Sequence, residues 1–349
     1  MRLFPAGLLL IIALGCSVSS KPPTQAWALV IHGGAGVIER ASMSAADESA
    51  YRQALSTALD AGAKVLREGG ASMDAVEATI RIMEDDPLFN AGRGAVFSAV
   101  GRNELDASIM DGATLNAGAV ASVTRTRHPI ALARAVMEKS PHVMLVGEGA
   151  DAFAVQHGLE QVDPSFFFVE RRWRELEKAL KERGEPIPAR PAGAPSPEAH
   201  SFQGSESLPE FGTVGAVALD LHGNIAAGTS TGGTTAKRWG RVGDSPIIGA
   251  GTYASNQSCA VSATGAGEFF IRLTIAREIC ALVQYENYGV QKAADEIIQK
   301  RLTDFKGTGG VIVVSPRGEI AWSFNSPGMY RAKVSAATSP RIAIFKDEP

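Results

Sequence analysis

The sequence predicts a four-layer αββα sandwich of the α/β (α+β) class, two packed sheets with helices on both outer faces. Two observations carry this expectation. The periodic segments run in the order helices, strands, helices, and the strands between them are short and rich in glycine. At 349 residues, with 37 glycines and a net charge of −3, the chain can bury a sizeable core in one large or two modest domains.

Each element has a local reason. Residues 27–31 form a short apolar run that reads as a buried strand entering a chain-reversing turn, His32-Gly33-Gly34-Ala35-Gly36. Ser44 is placed to cap a helix that repeats apolar residues at Tyr51, Leu55, Leu59 and Val65 and stops at Gly69-Gly70. Ser72 starts a second helix through Val76, Ile80 and Met83, which Asp86-Pro87 breaks. Short β runs follow at 104–110 and 117–123, and Pro129 opens another helix. Arg171, Arg172 and Arg174 stand among glutamates, as on a solvated helix face. Residues 184–212 differ in kind, with prolines at 186, 188, 191, 195, 197 and 209 among Gly, Ser, Ala and Glu, and read as a flexible linker. Structure resumes at Thr213, where runs at 213–219 and 225–229 flank the hairpin signal Asp220-Leu221-His222-Gly223-Asn224. A strand near 260–264, a helix from about 268 to 283, a helix near 291–300 and a hairpin across Ser315-Pro316-Arg317-Gly318 complete the pattern.

The first twenty residues stand apart: Arg2, an apolar run over 3–14, Gly15-Cys16 and a serine-rich stretch, the layout of a bacterial secretion signal too short to span a membrane. Gly15 before Cys16 resembles a lipobox, in which Cys16 is lipidated; ordinary cleavage near Ser19 or Ser20 is the alternative. Both lead to export, with the protein periplasmic or lipid-anchored at the cell envelope. Cys259 and Cys280 are too few for a disulfide framework and lack C-x-x-C spacing, so they read as two small buried side chains. Balanced charge leaves no electrostatic footprint for nucleic acid.

Several chemistries are excluded by what is missing. Gly228-Thr229-Ser230-Thr231-Gly232 matches a G-x-S-x-G nucleophile elbow, but that design needs a histidine after the serine, and the last histidine is His222. The six histidines, at 32, 128, 142, 157, 200 and 222, are scattered singly, without a zinc-helix pairing, and read as solvated or core residues. The glycine motif at 32–36 is no dinucleotide fingerprint, because Glu39 stands where the third glycine belongs. A hydrolase without a usable histidine or thiolate can employ a hydroxyl whose base is its own α-amine, with an unperturbed pKa of roughly 8. Gly212-Thr213, at the seam between linker and strand, can supply such a threonine by self-cleavage. Alone, the dipeptide is a common one.

The surrounding blocks resemble the plant-type asparaginase and isoaspartyl peptidase family of N-terminal-nucleophile (Ntn) hydrolases. The carriers are His32-Gly33-Gly34-Ala35-Gly36, Pro87-Leu88-Phe89-Asn90-Ala91-Gly92-Arg93-Gly94, Glu104-Leu105-Asp106-Ala107 with Met110-Asp111-Gly112, and Gly212-Thr213-Val214-Gly215-Ala216-Val217. Ser230-Thr231-Gly232-Gly233, Gly240-Arg241-Val242-Gly243-Asp244-Ser245-Pro246 and Thr264-Gly265-Ala266-Gly267-Glu268 follow. Together they span nearly the whole chain after the signal.

The resemblance implies an Ntn-hydrolase fold cut between Gly212 and Thr213, giving an α subunit over 21–212 and a β subunit over 213–349 paired as (αβ)2. It implies that Thr213 is the nucleophile and Thr231 a second hydroxyl that tunes it. Arg241 and Asp244, in a loop with Val242 and Gly243, would hold the substrate's α-carboxylate and α-ammonium. Thr264 and Gly265 would form the oxyanion hole, with Ala266, Gly267 and Asn90 against the substrate. No cofactor is implied for catalysis; a structural sodium ion would be held by backbone carbonyls of Met83, Glu84, Asp86, Phe89, Ala91 and Arg93. The implied substrates are β-aspartyl peptides and L-asparagine. A glycosylasparaginase of the same fold, or an uncleaved lipid-anchored protein that binds aspartyl peptides, are the alternatives.

Overall fold

The computed structural model describes residues 26–195 and 212–348. The signal segment, Cys16 and residues 196–211 of the linker lie outside the described residues. In chain order the elements are β1 (Ala28–Gly36), α1 (Ala45–Arg67), α2 (Ser72–Asp85), β2 (Leu105–Asp111), β3 (Ala117–Val123), α3 (Pro129–Lys139), β4 (Met144–Val146), α4 (Gly147–Gln156) and α5 (Glu170–Glu182). Beyond the linker come β5 (Val214–Leu219), β6 (Ile225–Thr231), β7 (Thr252–Ala254), β8 (Ala260–Gly265), α6 (Gly267–Leu273), α7 (Ile275–Tyr285), α8 (Val290–Asp295), β9 (Gly309–Val314), β10 (Ile320–Phe324), β11 (Gly328–Ser335) and β12 (Thr338–Phe345).

Two sheets form, one in the order β12-β11-β1-β5-β6-β2-β3-β4 and one in the order β10-β9-β8-β7. The period-two alternation of their strands builds the layers. Leu29 and Ile31 of β1 face a core shared with Leu55 and Leu59 of α1, Val76 and Ile80 of α2, and Ile130 of α3. Ala28 and Val30 face the other way, onto Ile312 and Val314 of β9 between the sheets. Val311 and Val313 then point outward to Ile275 and Ile279 of α7 and to Ile297 and Ile298. The result is the four-layer αββα sandwich.

The local signals act as expected at several ends. The Ser44 hydroxyl accepts from Asp47 N at 3.0 Å at the start of α1, and Gly69, with φ +84°, follows its end. Four expectations need correction. His32 to Gly36 is not a chain-reversing turn: β1 runs through it, with a bulge between His32 and Gly34, where φ is +113°. The helix near 268–283 is broken at Thr274, a left-handed residue at φ +46° between α6 and α7, and the one near 291–300 widens after Asp295 into π-type turns. Cys259 and Cys280 are buried, but they are joined as a disulfide, with their Cα atoms 5.3 Å apart. Spacing in sequence could not show that β8 and α7 pack face to face.

The fourth correction concerns α5. Its stripe Trp173, Leu176 and Leu180 packs with Phe97 and Phe168, and this turns two of the three arginines inward. Arg172 is buried and donates from Nε to Gly94 O at 3.0 Å, while Arg171 donates to Pro87 O and Leu88 O at 3.1 and 3.2 Å. Only Arg174 stays on an exposed face. The first part of the proline-rich stretch lies on this helix through Arg190, which pairs with Glu170 at 2.7 Å.

Candidate active site

Thr213 precedes β5, in the middle of the large sheet, and is buried. Val214 pairs with Ser230, so Thr213 stands beside Thr231 on the neighbouring strand. The Thr213 Oγ lies 2.7 Å from Gly212 O and 3.1 Å from Thr231 Oγ, and Thr231 Oγ lies 3.1 Å from Gly212 O. Asn90 completes the group: its Nδ2 donates to Gly212 O and to Gly233 O, both at 2.8 Å, while its Oδ1 accepts from Val96 N at 2.9 Å. The Gly212 carbonyl oxygen is thus surrounded by donors, the environment an oxyanion at that atom requires. These three bonds fix Asn90 at the Gly212–Thr213 peptide.

The two glycines that shape this corner do so by lacking a Cβ. One added to Gly212 would sit 2.8 Å from Asn90 Cβ, and one on Gly34 would sit 3.1 Å from Gly212 Cα. The bulged glycine motif therefore lets two backbones approach. The neighbouring Ala35 N donates to Thr264 Oγ at 3.3 Å, which ties the small sheet to the same corner. Gly265, at φ +148°, cannot carry a side chain, because a Cβ would meet Thr308 O at 2.4 Å.

A second cluster joins residues far apart in sequence. A Cβ on Gly267 would lie 2.8 Å from Asp244 Oδ1 and 3.0 Å from Arg241 Nη2, so Arg241, Asp244 and Gly267 converge. Gly243 backs the guanidinium, with its Cβ direction 2.9 Å from Arg241 Nη1. Val242 is half-buried between them, and Ala266 N is bonded to Thr308 O at 3.0 Å. Arg241 pairs with Glu268, Nε to Oε1 at 2.9 Å and Nη2 to Oε2 at 3.1 Å, a fork that shows its fit to a carboxylate. Asp244 is buried, its Oδ2 has no hydrogen-bond partner among the described residues, and burial pushes its carboxyl up to about 7, against its own backbone N–H and Arg241. A buried carboxylate with one oxygen open, beside a guanidinium, is a ready site for a zwitterion.

His32, read from sequence as a solvated or core histidine, is buried, and it belongs to the site. Burial lowers it to about 3, so the ring is neutral. It lies 3.1 Å from Thr213 O through Nδ1 and 2.9 Å from Ser262 Oγ through Nε2. The carbonyl can only accept, so Nδ1 carries the proton and Nε2 accepts from Ser262. The chain continues to Thr229 at 2.7 Å, Thr252 at 2.5 Å and Ser108 at 2.8 Å. No motif of fixed spacing announces it, because its members come from five strands.

The loop between α2 and β2 is clamped from outside by Tyr51 OH on Leu88 O at 3.2 Å and by the two arginines of α5. In the last turn of α2, at the entry to this loop, the buried Glu84 carboxylate accepts from Ser230 Oγ at 2.6 Å and Ile130 N at 3.0 Å. Asp86 accepts from Leu88 N, Phe89 and Ala91 are buried, and the Arg93 guanidinium lies 5.7 Å from the Phe166 ring. No group of three or more His, Cys, Asp or Glu suited to a metal occurs among the described residues. A cavity of about 840 Å3 lies elsewhere among the described residues, lined by Arg102, Asn103, Arg125 and Asp151, and includes none of the residues at either cluster.

Comparison with known proteins adds the following. A family model described as Asparaginase matches residues 25–344. The chain is 47% identical to an isoaspartyl peptidase of Escherichia coli K12, over 92% of this chain and 96% of that protein. It is 41% identical to a probable isoaspartyl peptidase/L-asparaginase 2 of Arabidopsis thaliana, over 92% and 99% of the two chains. It is also 41% identical to the human isoaspartyl peptidase/L-asparaginase, over 86% and 91%.

Proposed function

The chain belongs to the asparaginase family, and from that premise we propose that it is a self-cleaving isoaspartyl peptidase and L-asparaginase whose nucleophile is Thr213. The observation that carries the reading is the position of Thr213 Oγ at the Gly212 carbonyl, with Asn90 and Thr231 on the carbonyl oxygen. In the first step Oγ attacks the Gly212 carbonyl carbon, the C–N bond breaks, and the nitrogen leaves as the Thr213 α-amine. Water then hydrolyses the ester, freeing the Gly212 carboxylate. In turnover, the same oxygen attacks the side-chain amide carbon of the substrate while the α-amine takes its proton and passes it to the leaving nitrogen. Arg241 and Asp244 hold the α-carboxylate and α-ammonium, Gly267 leaves the room between them, and Thr264 with Gly265 N–H receives the oxyanion.

The test is denaturing electrophoresis with N-terminal sequencing of the purified protein beside Thr213→Ala. The wild type should give a fragment beginning at Thr213 and the variant should remain whole. A wild type that stays in one piece overturns the reading and leaves an uncleaved binding protein. Initial rates on a β-aspartyl dipeptide, L-asparagine and N-acetylglucosaminyl asparagine separate it from a glycosylasparaginase.

Three further parts of the proposal rest on chemistry. Gly92 and Gly94 are where a Cβ would strike Glu84 O at 2.3 Å and Phe89 O at 2.0 Å, so these glycines leave room beside two neutral backbone carbonyls. That donor set fits a monovalent cation better than a divalent one, and sodium held by carbonyls of residues 83–93 would steady the loop that carries Asn90. Export, with Cys16 as the anchor, is supported by the Cys259–Cys280 disulfide, which persists in oxidising compartments. Assembly of the cleaved halves as (αβ)2 is supported by the family resemblance alone.

A further inference from the structure

Resting on the nucleophile just assigned, we propose that Asp106, balanced by Lys237, is a positioning residue that sets the ionisation of the freed Thr213 amine. Asp106 pairs directly with Thr231 across β2 and β6, and Thr231 stands beside Thr213 across β6 and β5. Directly opposed residues project to the same face of a sheet, so Thr213, Thr231 and Asp106 form one row. Two strand spacings put Asp106 roughly 10 Å from the nucleophile.

The carboxylate is placed with some effort. The β2–β3 ladder is irregular between Leu105 and Ala107, and Ser122 adopts φ +54° there, with its N–H donated to Asp106 Oδ1 at 2.8 Å. Oδ2 has no hydrogen-bond partner among the described residues, and the residue is fully buried. A neutral asparagine would satisfy the one backbone bond, so the fold does not explain the charge. Because substrate cannot reach it, the carboxylate acts through its field.

Lys237 supplies a buried cation that favours the Asp106 anion. Its side chain is wholly buried, and Nζ donates to Glu104 O at 2.8 Å and lies 3.8 Å from Glu104 Oε2, with which it shares its charge. It also lies 3.2 Å from where a Cβ on Gly233 would stand, and Gly233 N donates to Thr231 Oγ at 3.0 Å. Burial raises the Asp106 carboxyl, while Lys237, the Ser122 N–H and Arg241 act against this and favour its ionised form, and Glu104 and Asp244 add to the rise. A buried cation and anion thus flank the hydroxyl pair from adjoining strands and loop. Removing either leaves the other's field on the amine uncompensated.

The test follows rates on a β-aspartyl dipeptide with the self-cleaved full chain between pH 5 and 9. Asp106→Asn keeps the acceptor for Ser122 and should move the acid limb of kcat down by about one pH unit. Lys237→Met should move it up by a similar amount, with KM within about threefold in both. The double variant should return the limb while kcat stays reduced at least about threefold, since Thr231 loses its ordered neighbours. Opposite shifts are a readout that a purely structural role would not give. A folded, cleaved Asp106→Asn enzyme with an unmoved acid limb overturns the proposal. Should one single variant fail to fold, the other decides by the sign of its shift. Should both fail, a double variant with native kcat overturns it and a reduced one supports it. A wild type that never cleaves instead overturns the nucleophile assignment, which keeps the two failures apart.

Discussion

In the function proposed above, Asp244 is where burial couples to binding. Its carboxyl, pushed up to about 7 by burial, takes a proton in the folded chain well above the ordinary carboxylate range. The folded state therefore binds more protons than the unfolded one between about 4 and 7, so this group stabilises at acid pH and loses that contribution as pH rises through 7. An ammonium ligand at neutral pH relieves the burial of the bare charge. KM for L-asparagine should accordingly rise about tenfold between pH 8 and pH 6, as the carboxylate is protonated. Asp244→Asn should raise KM at pH 8 and flatten the dependence; steady-state rates across pH check both. His32 works in the opposite sense. Lowered to about 3 by burial, it stabilises above its unfolded value of 6.5 and loses this as pH falls toward 3.

The unit formed by β8 and α7 shows how an element carries a site. β8 ends at Thr264 and Gly265, and its start is tied through the Cys259–Cys280 disulfide to α7 across 21 residues. Closing a loop of that length restricts the unfolded chain by about 3 kcal/mol. Cys259→Ser with Cys280→Ser should lower the thermal midpoint by several degrees, read by calorimetry against the wild type with and without reductant. Reductant should bring the wild type toward the variant and leave the variant unmoved. The α2–β2 loop is a second such unit, held by Arg171 and Arg172 from a helix some eighty residues away. Its position fixes Asn90.

At the scale of the molecule, the large sheet interleaves chain from both sides of the Gly212–Thr213 bond. β12 and β11 come from after it, β1 from before, β5 and β6 from after, and β2, β3 and β4 from before. The β5–β6 hairpin is hydrogen-bonded on both edges to strands of the other segment. The halves should therefore co-elute in gel filtration after cleavage and part only in denaturant. They should part there without reductant, because both cysteines of the disulfide lie after the cut. Fragments that separate in native buffer would contradict this topology.

The sequence by itself determined what local chemistry can determine. Caps, breakers and alternation located α1, α2, α3 and the β5–β6 hairpin, because these signals act within a few residues. The motif blocks marked Thr213, Thr231, Arg241, Asp244 and Thr264, and the missing downstream histidine closed off the serine-triad alternative. Tertiary structure decided the rest, since its partners lie far apart in the chain. It bent the glycine motif into a bulged strand so that Gly34 could meet Gly212, and it paired two cysteines that spacing left single. It set Asn90 on the Gly212 carbonyl, drew His32 into a buried hydrogen-bond chain, and aligned Asp106 with Thr231 by strand register. None of these has a signature in spacing, because burial and register are properties of the packed sheets and not of any one segment.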